Sequence, residues 1–449
     1  MAFCIGPSFS LVTTNNGDIY SFGLNQCGQL GIETTISQRT PQLLSRDTVF
    51  EGQDVVMVSA GFVHASCVTS DGSVWLWGFN MDGALGLGDF VNRLAPVRIQ
   101  PTYFNDSQVL MVACGCTFTI VLTELGRVWT CGTGNLGALG HGDRKNLTTL
   151  TEIAATRFGN RAIGTIAAGA QHSLAISREG GILFAWGANS FGQLGLGYWS
   201  SCEAAPCIVS PADVGGAGVA FVHATLKYSM AVTVDGVLWA CGDGIPGTGA
   251  VDTRCTKMIC IGGPDLFGQG GVRMVACARD RALIVAWDGN VWCTQQLPFR
   301  KPVVADEKVH MNPLCCWLLP RALFGDEDII VASASDTHCG VVTRTGRLFT
   351  WDVIVDHADV FALGYKTPSS RKWWPRAVKT SVFKGVEIGR WHAFTRKRAQ
   401  TFITELCGKV AADATEKARK HSKLKDTNAQ HSAETLDGIH TFEARHQQG

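Results

Sequence analysis

One glycine-rich phrase is written five times along this chain: GDIYSFGLNQCGQLGI from 17 to 32, GSVWLWGFNMDGALGLGD from 72 to 89, GRVWTCGTGNLGALGHGD from 126 to 143, GGILFAWGANSFGQLGLG from 180 to 197 and GVLWACGDGIPGTG from 236 to 249. The glycine that closes each apolar run falls at Gly23, Gly78, Gly132, Gly187 and Gly242, at steps of 55, 54, 55 and 55 residues. A fixed period of this length marks a repeat architecture, in which each unit buries its apolar faces against its neighbours.

The period also disposes of a competing motif. GTGNLG, residues 132 to 137, matches the G-x-G-x-x-G fingerprint of dinucleotide binding, which needs a helix N-terminus directly after a strand. Arg127 to Cys131 reads as a strand, but Gly140 and Gly142 follow where that helix would begin. Each glycine costs about 1 kcal/mol against alanine in a helix. A second match, GDGIPG at 242 to 247, has Pro246 in the corresponding stretch. Both are therefore repeat turns, and no cofactor is expected.

A whole unit is clearest at 55 to 99. Val55 to Val58, Ala65 to Thr69 and Ser73 to Trp77 read as three strands, with Asp71-Gly72 as the hairpin turn between the last two. Pro96 to Ile99 begins a fourth, and proline recurs in that slot as Pro41, Pro206, Pro320 and Pro375. Proline lacks a ladder donor and belongs at an edge. Four short antiparallel strands per unit describe a propeller blade. The glycines of the connection between strands three and four are expected where the chain doubles back near a central axis and neighbouring blades crowd.

The spacing predicts an all-β chain: a seven-bladed β-propeller of roughly 55-residue repeats with a short helical and disordered C-terminal tail. The units lie at about 1–44, 55–99, 109–153, 163–209, 219–261, 272–323 and 329–378, with closing strands at 383–398, making residues 1–398 the propeller and 399–449 the tail. Units six and seven have lost most turn glycines. Phe3-Cys4-Ile5-Gly6 and Val386 to Phe394 both resemble a first strand, so the two ends compete for one position in the closing blade. Closure removes exposed sheet edges.

Composition narrows the function classes. Net charge is +1, charged residues are 17% of the chain and hydrophobic residues 46%, which argues against whole-domain electrostatic attraction to nucleic acid or an anionic membrane. The N-terminus lacks the basic start and apolar run of a signal peptide, and no stretch approaches 18 apolar residues, so an intracellular protein, cytoplasmic or nuclear, is expected. Seventeen cysteines, an odd number, include Cys67, Cys131, Cys241 and Cys339 at positions where other repeats carry apolar residues; they read as buried reduced thiols. Cys114 with Cys116, and Cys315 with Cys316, fall on predicted strands whose successive side chains diverge, so no structural metal is expected.

The pattern A-G-x-x-H followed by G-x-V-W-x-W-G-x-N-x-x-G-Q-L-G-x-G, carried by residues 60–64 with 72–88 and by 168–172 with 181–197, resembles the regulator of chromosome condensation repeat. The resemblance covers about residues 3 to 398 and implies a seven-bladed propeller. Founding members of that family are nucleotide-exchange factors for the small GTPase Ran that hold chromatin through a basic N-terminal tail; others are scaffolds, or propellers attached to ubiquitin ligases. With the propeller pattern running from about residue 3 to 398 of this sequence, neither the basic N-terminal tail nor a ligase domain is expected. The expectation is a non-enzymatic, monomeric interaction propeller with a protein partner. The alternatives are an exchange factor for a Ran-like GTPase, and chromatin or nucleic-acid association.

Candidate sites follow from the repeats. His64, His172, His338 and His392 share one repeat position and are read as imidazoles satisfied by backbone groups inside each blade, since equivalent positions on separate blades do not converge. Asp89 and Asp143 follow the glycine-rich turn on a blade end, where they could meet a partner or cap a turn. Arg371, Lys372, Trp373 and Trp374 join cationic and aromatic residues in the longest polar turn of unit seven, a combination common at interface hot spots. Between 390 and 425, ten Lys or Arg stand against three acids. This basic segment includes Arg396, Lys397, Arg398, Lys417, Arg419, Lys420, Lys423 and Lys425, and Phe402, Leu406, Val410 and Ala414 recur through it at helical spacing. The polar remainder from 426 is expected to be disordered. No catalytic constellation is found.

Overall fold

The computed structural model describes residues 3–246, 248, 254–279, 281–295, 316–319, 321–335, 338–352 and 376–377. They form seven four-stranded antiparallel sheets, each built from consecutive strands in simple up-and-down order. Blade two, for example, comprises Val55–Ala60, His64–Thr69, Val74–Gly78 and Arg93–Ile99. First strands of successive blades approach one another, and the first strand of blade one meets that of blade seven, so the ring closes with first strands innermost.

The competition between the two chain ends has a structural outcome. Phe3–Ile5 pairs with Phe9–Thr13 and fills the inner position of blade one. Closure against blade seven rests on an Ile5 amide donating to Ser333 Oγ at 2.9 Å and on a core shared by Phe3, Ile5, Val12 and Tyr20 with Val331, Val342 and Leu348. The expected closing strands at 383–398 and the tail from 399 lie outside the described residues.

A second recurrent device joins the blades. The segment entering each of blades two, three, four, six and seven carries, at its short helical turn, a phenylalanine that packs on the third strand of that blade. Phe50 meets Trp75, Phe104 meets Trp129, Phe158 meets Phe184, Phe267 meets Trp292 and Phe324 meets Phe349, all edge to face with centroids 5.3 to 5.8 Å apart. Aromatic pairs in this geometry contribute about 0.5–1.5 kcal/mol beyond their area. The device persists into blades six and seven, where the glycine phrase has faded.

The glycine-rich connections do not crowd the axis as the sequence suggested. Strands three and four are the outer pair, so their connection lies away from the axis and packs on the outer strand of the next blade. Gly88 donates to Thr148 O at 2.8 Å, Gly142 to Ala204 O at 2.8 Å and Gly197 to Thr256 O at 2.8 Å. The axis is ringed instead by the short turns between first and second strands. Those of blades three, four and five are tied together by Cys116 N to Ala170 O at 3.1 Å and Ala170 N to Thr225 O at 3.0 Å. Cys116 therefore sits in a turn and not on a strand; Cys114 closes the strand before it.

Candidate protein-interaction face

Antiparallel order sends the turns between strands one and two, and the long loops between strands three and four, to the same end of the ring. Hairpin turns between strands two and three, and the links from blade to blade, occupy the other end. The long loops are held by one residue that the motif reading passed over. Asn80, fully buried, donates from Nδ2 to Asp89 O at 3.0 Å and accepts the Leu85 amide on Oδ1 at 2.9 Å. Asn25 does the same with Thr34 O and the Leu30 amide, and Asn189 with Tyr198 O and the Leu194 amide. Its signal was the asparagine two residues after the closing glycine, at Gly23, Gly78 and Gly187.

Blade three carries Gly134 at that position, which explains the GTGNLG hexapeptide. A Cβ on Gly134 would lie 1.9 Å from Lys145 O, so only glycine fits beneath the returning loop. The loop start is still pinned, by the Gly134 amide donating to Asn146 Oδ1 at 2.9 Å.

Asp89 and Asp143 both lie on this end. Asp89 is committed to its own loop: it accepts from Val91 N at 2.9 Å and Asn80 Nδ2 at 3.0 Å, and pairs with Arg93 at 2.5 Å. The Val91 amide, with Arg93, holds its carboxyl below the usual range. Asp143 is exposed and accepts the Lys145 amide at 3.2 Å. Arg371, Lys372, Trp373, Trp374 and the basic segment from Arg396 to Lys425 lie outside the described residues.

The histidines differ from expectation. His64 Nε2 meets Thr119 Oγ1 at 3.0 Å and His172 Nε2 meets Ser229 Oγ at 2.8 Å, so each imidazole bonds a hydroxyl on the next blade and not backbone in its own. Thr119 gives its hydroxyl proton to Ala84 O at 2.7 Å and Ser229 gives its own to Gln193 O at 2.7 Å. Nε2 must then be the protonated nitrogen, and Nδ1, buried and unbonded, the bare one. Burial lowers His64 to about 4 and His172 to about 3, which keeps both neutral at physiological pH. Neutral rings buried on separate blades act as inter-blade ties. His338 lies on a second strand, and His392 lies outside the described residues.

What the sequence did not single out is the distribution of exposed apolar side chains. On the long loops of this end stand Ile36, Met81, Phe90, Val91, Tyr198 and Trp199, the last 60% exposed. Phe62, 52% exposed, and Leu226 stand on the turns around the axis. The opposite end exposes Tyr103, Leu125, Ile208 and Trp287, and Tyr103 is engaged through its hydroxyl with Leu150 O at 3.0 Å. That end is dominated by internal ion pairs: Arg98 with Asp71 and Glu51, Arg46 with Asp54, and Asp328 between Arg321 at 3.0 Å and Arg344 at 2.8 Å. Large apolar patches with nothing packed on them mark interaction surfaces.

Fold and surface together define a protein-interaction or regulatory propeller. The chain belongs to the RCC1-like domain family, whose family model matches residues 1–294. It is 38% identical over 192 residues to the ultraviolet-B receptor UVR8 of Arabidopsis thaliana, covering 43% of this chain and 42% of that protein. It is 34% identical over 192 residues to the probable E3 ubiquitin-protein ligase HERC3 of Homo sapiens, covering 42% and 17%. The chain thus spans less than half the length of these curated relatives. Among solved structures, human WBSCR16 gives a TM-score of 0.66 at 19% identity over 81% of this chain and 94% of that one. Prp20p of Saccharomyces cerevisiae gives 0.66 at 19% identity over 89% and 96%. Likeness at this identity speaks for the shared fold.

Proposed function

We propose that this chain is a non-enzymatic interaction propeller that binds a protein partner through the end bearing the turns around the axis and the long loops. The observation that carries the reading is the larger number of exposed apolar side chains on that end, eight against four large ones at the tips of the other, which also carries several internal ion pairs. Aromatic anchors on rigid loops suit this role, because little side-chain entropy is lost when they are covered. Quantitative affinity capture with Phe62→Ala/Phe90→Ala/Trp199→Ala, beside a Leu125→Ala/Trp287→Ala control, tests it. Loss confined to the first variant supports the reading, and loss confined to the second overturns it.

A second reading, a nucleotide-exchange factor for a Ran-like GTPase, is favoured by the likeness to Prp20p, whose structure is described together with its binding to Gsp1p and histones. Exchange needs no covalent chemistry, only stronger binding of the nucleotide-free GTPase. Release of labelled GDP from Ran and a panel of related GTPases tests it. Acceleration by catalytic amounts of the chain supports exchange activity, and unchanged rates with folded protein remove it.

A further inference from the structure

The loops that carry the exposed apolar residues of blades one and two are tied to one another. Phe79 N donates to Val63 O at 3.0 Å, joining the Phe62 turn to the long loop of blade two. Asn80 links that start to Asp89 and Asn92, and so to Phe90 and Val91. Glu33 N donates to Leu94 O at 2.9 Å, which brings in the loop of blade one that carries Ile36. The charge on this patch has one sign to spare. Arg93 neutralises Asp89, and Arg39 on the outer strand has an interaction of its own, while among the described residues Glu33 and Asp82 have no ion-pair partner. A surface of exposed apolar side chains with two free carboxylates fits a basic amphipathic segment.

The chain carries such a segment. We propose that residues 396–425 dock on the blade-one and blade-two patch formed by Ile36, Phe62, Met81, Phe90 and Val91, covering part of the face that partners would use. The segment joins Phe402, Leu406 and Val410, at a spacing that places them on one side of a helix, to a surplus of Lys and Arg. Its path is short. Arg376–Ala377 lies on blade seven, which abuts blade one, and the 19 residues from Ala377 to Arg396 can span about 65 Å when extended. A tethered segment docks at high effective concentration, so modest contacts suffice. The inference rests on the reading of this end as the binding face, and would make that face self-masked.

The test uses the full chain with a photo-crosslinking residue replacing Met81, and a control carrying it in place of Leu125 on the opposite end. Mass spectrometry of dilute monomer should map crosslinks from position 81 into 396–425 and none from position 125. Glu33→Lys/Asp82→Lys, surface changes with no hydrogen bond to lose, should lower the yield about fivefold or more, as should 0.5 M salt. Crosslinks from position 81 that miss 396–425, equal capture from both ends, or a yield indifferent to the charge reversal would each overturn the proposal. Failure here with loss of partner capture in the Phe62, Phe90, Trp199 variant would leave the binding face standing and remove only the self-docking.

Discussion

The indole Nε1 of Trp77 donates to Gln29 O at 2.9 Å, carrying a hydrogen bond from the third strand of blade two to the long loop of blade one. Trp186 repeats it with Ala138 O at 2.9 Å. In blades three and five the same position holds cysteine, and Cys131 Sγ reaches Ala84 O at 3.3 Å while Cys241 Sγ reaches Gln193 O at 3.2 Å. The neighbouring outer-strand residue changes in step. Beside Gly31 stand Trp77 and Pro96; beside Gly86 stand Cys131 and Leu150; beside Gly195 stand Cys241 and Met258. A large indole goes with a compact proline and a small thiol with a long aliphatic chain, which conserves packed volume.

This volume exchange predicts a coupling. Cys131→Trp should destabilise by about 2–3 kcal/mol through overpacking, and Cys131→Trp/Leu150→Pro should recover at least about 1 kcal/mol of that. Urea midpoints of the single and double variants check it. Trp77→Phe, which strands a buried carbonyl, should lose about 1–3 kcal/mol.

The asparagine lock predicts a local effect. Asn80→Ala removes the bonds to Leu85 N and Asp89 O, so amide exchange should speed up across 81–92 by tenfold or more while the hairpin at Thr69–Ser73 stays protected. Asp89→Asn should do less, because the Val91 and Asn80 contacts can be kept by an amide oxygen.

The desolvated imidazoles, His64 and His172 on second strands and the half-buried His223 on the first strand of blade five, predict acid sensitivity with a defined sign. His64, His172 and His223 are lowered by desolvation to about 4, 3 and 4, against 6.5 for the free group. The unfolded chain therefore binds more protons than the folded one below pH 6.5, and stability falls as pH drops from there toward the folded values. Each contributes up to about 1.4 kcal/mol per pH unit inside that window. Urea midpoints at pH 7.5 and 5.0 should differ, and His64→Gln/His172→Gln should reduce the difference even if it lowers both midpoints.

Much of the fold was written in the chain because the constraint repeats. The apolar runs ending at Gly23, Gly78, Gly132, Gly187 and Gly242 specify strand, turn and register at once, and Asp71-Gly72 marks its hairpin directly. The direction of the long loops was not legible, since glycine signals close approach without saying to what; the outer strand of the next blade proved to be the neighbour. The histidine partners escaped for a related reason. Thr119 and Ser229 lie 55 and 57 residues from His64 and His172, and nothing local in sequence pairs them. The candidate face was least legible, because Phe62, Met81 and Trp199 look like core residues until the loops that carry them are placed.

Partner binding at the end bearing Phe62, Phe90 and Trp199 is the proposal on which the others depend. The most direct measurement is the amount of partner retained by the intact chain, by Phe62→Ala/Phe90→Ala/Trp199→Ala and by Leu125→Ala/Trp287→Ala, each shown to be folded by its urea midpoint. Binding at this end should give at least a tenfold loss in the first variant and near-full retention in the second. Retention by the first with loss in the second would contradict it.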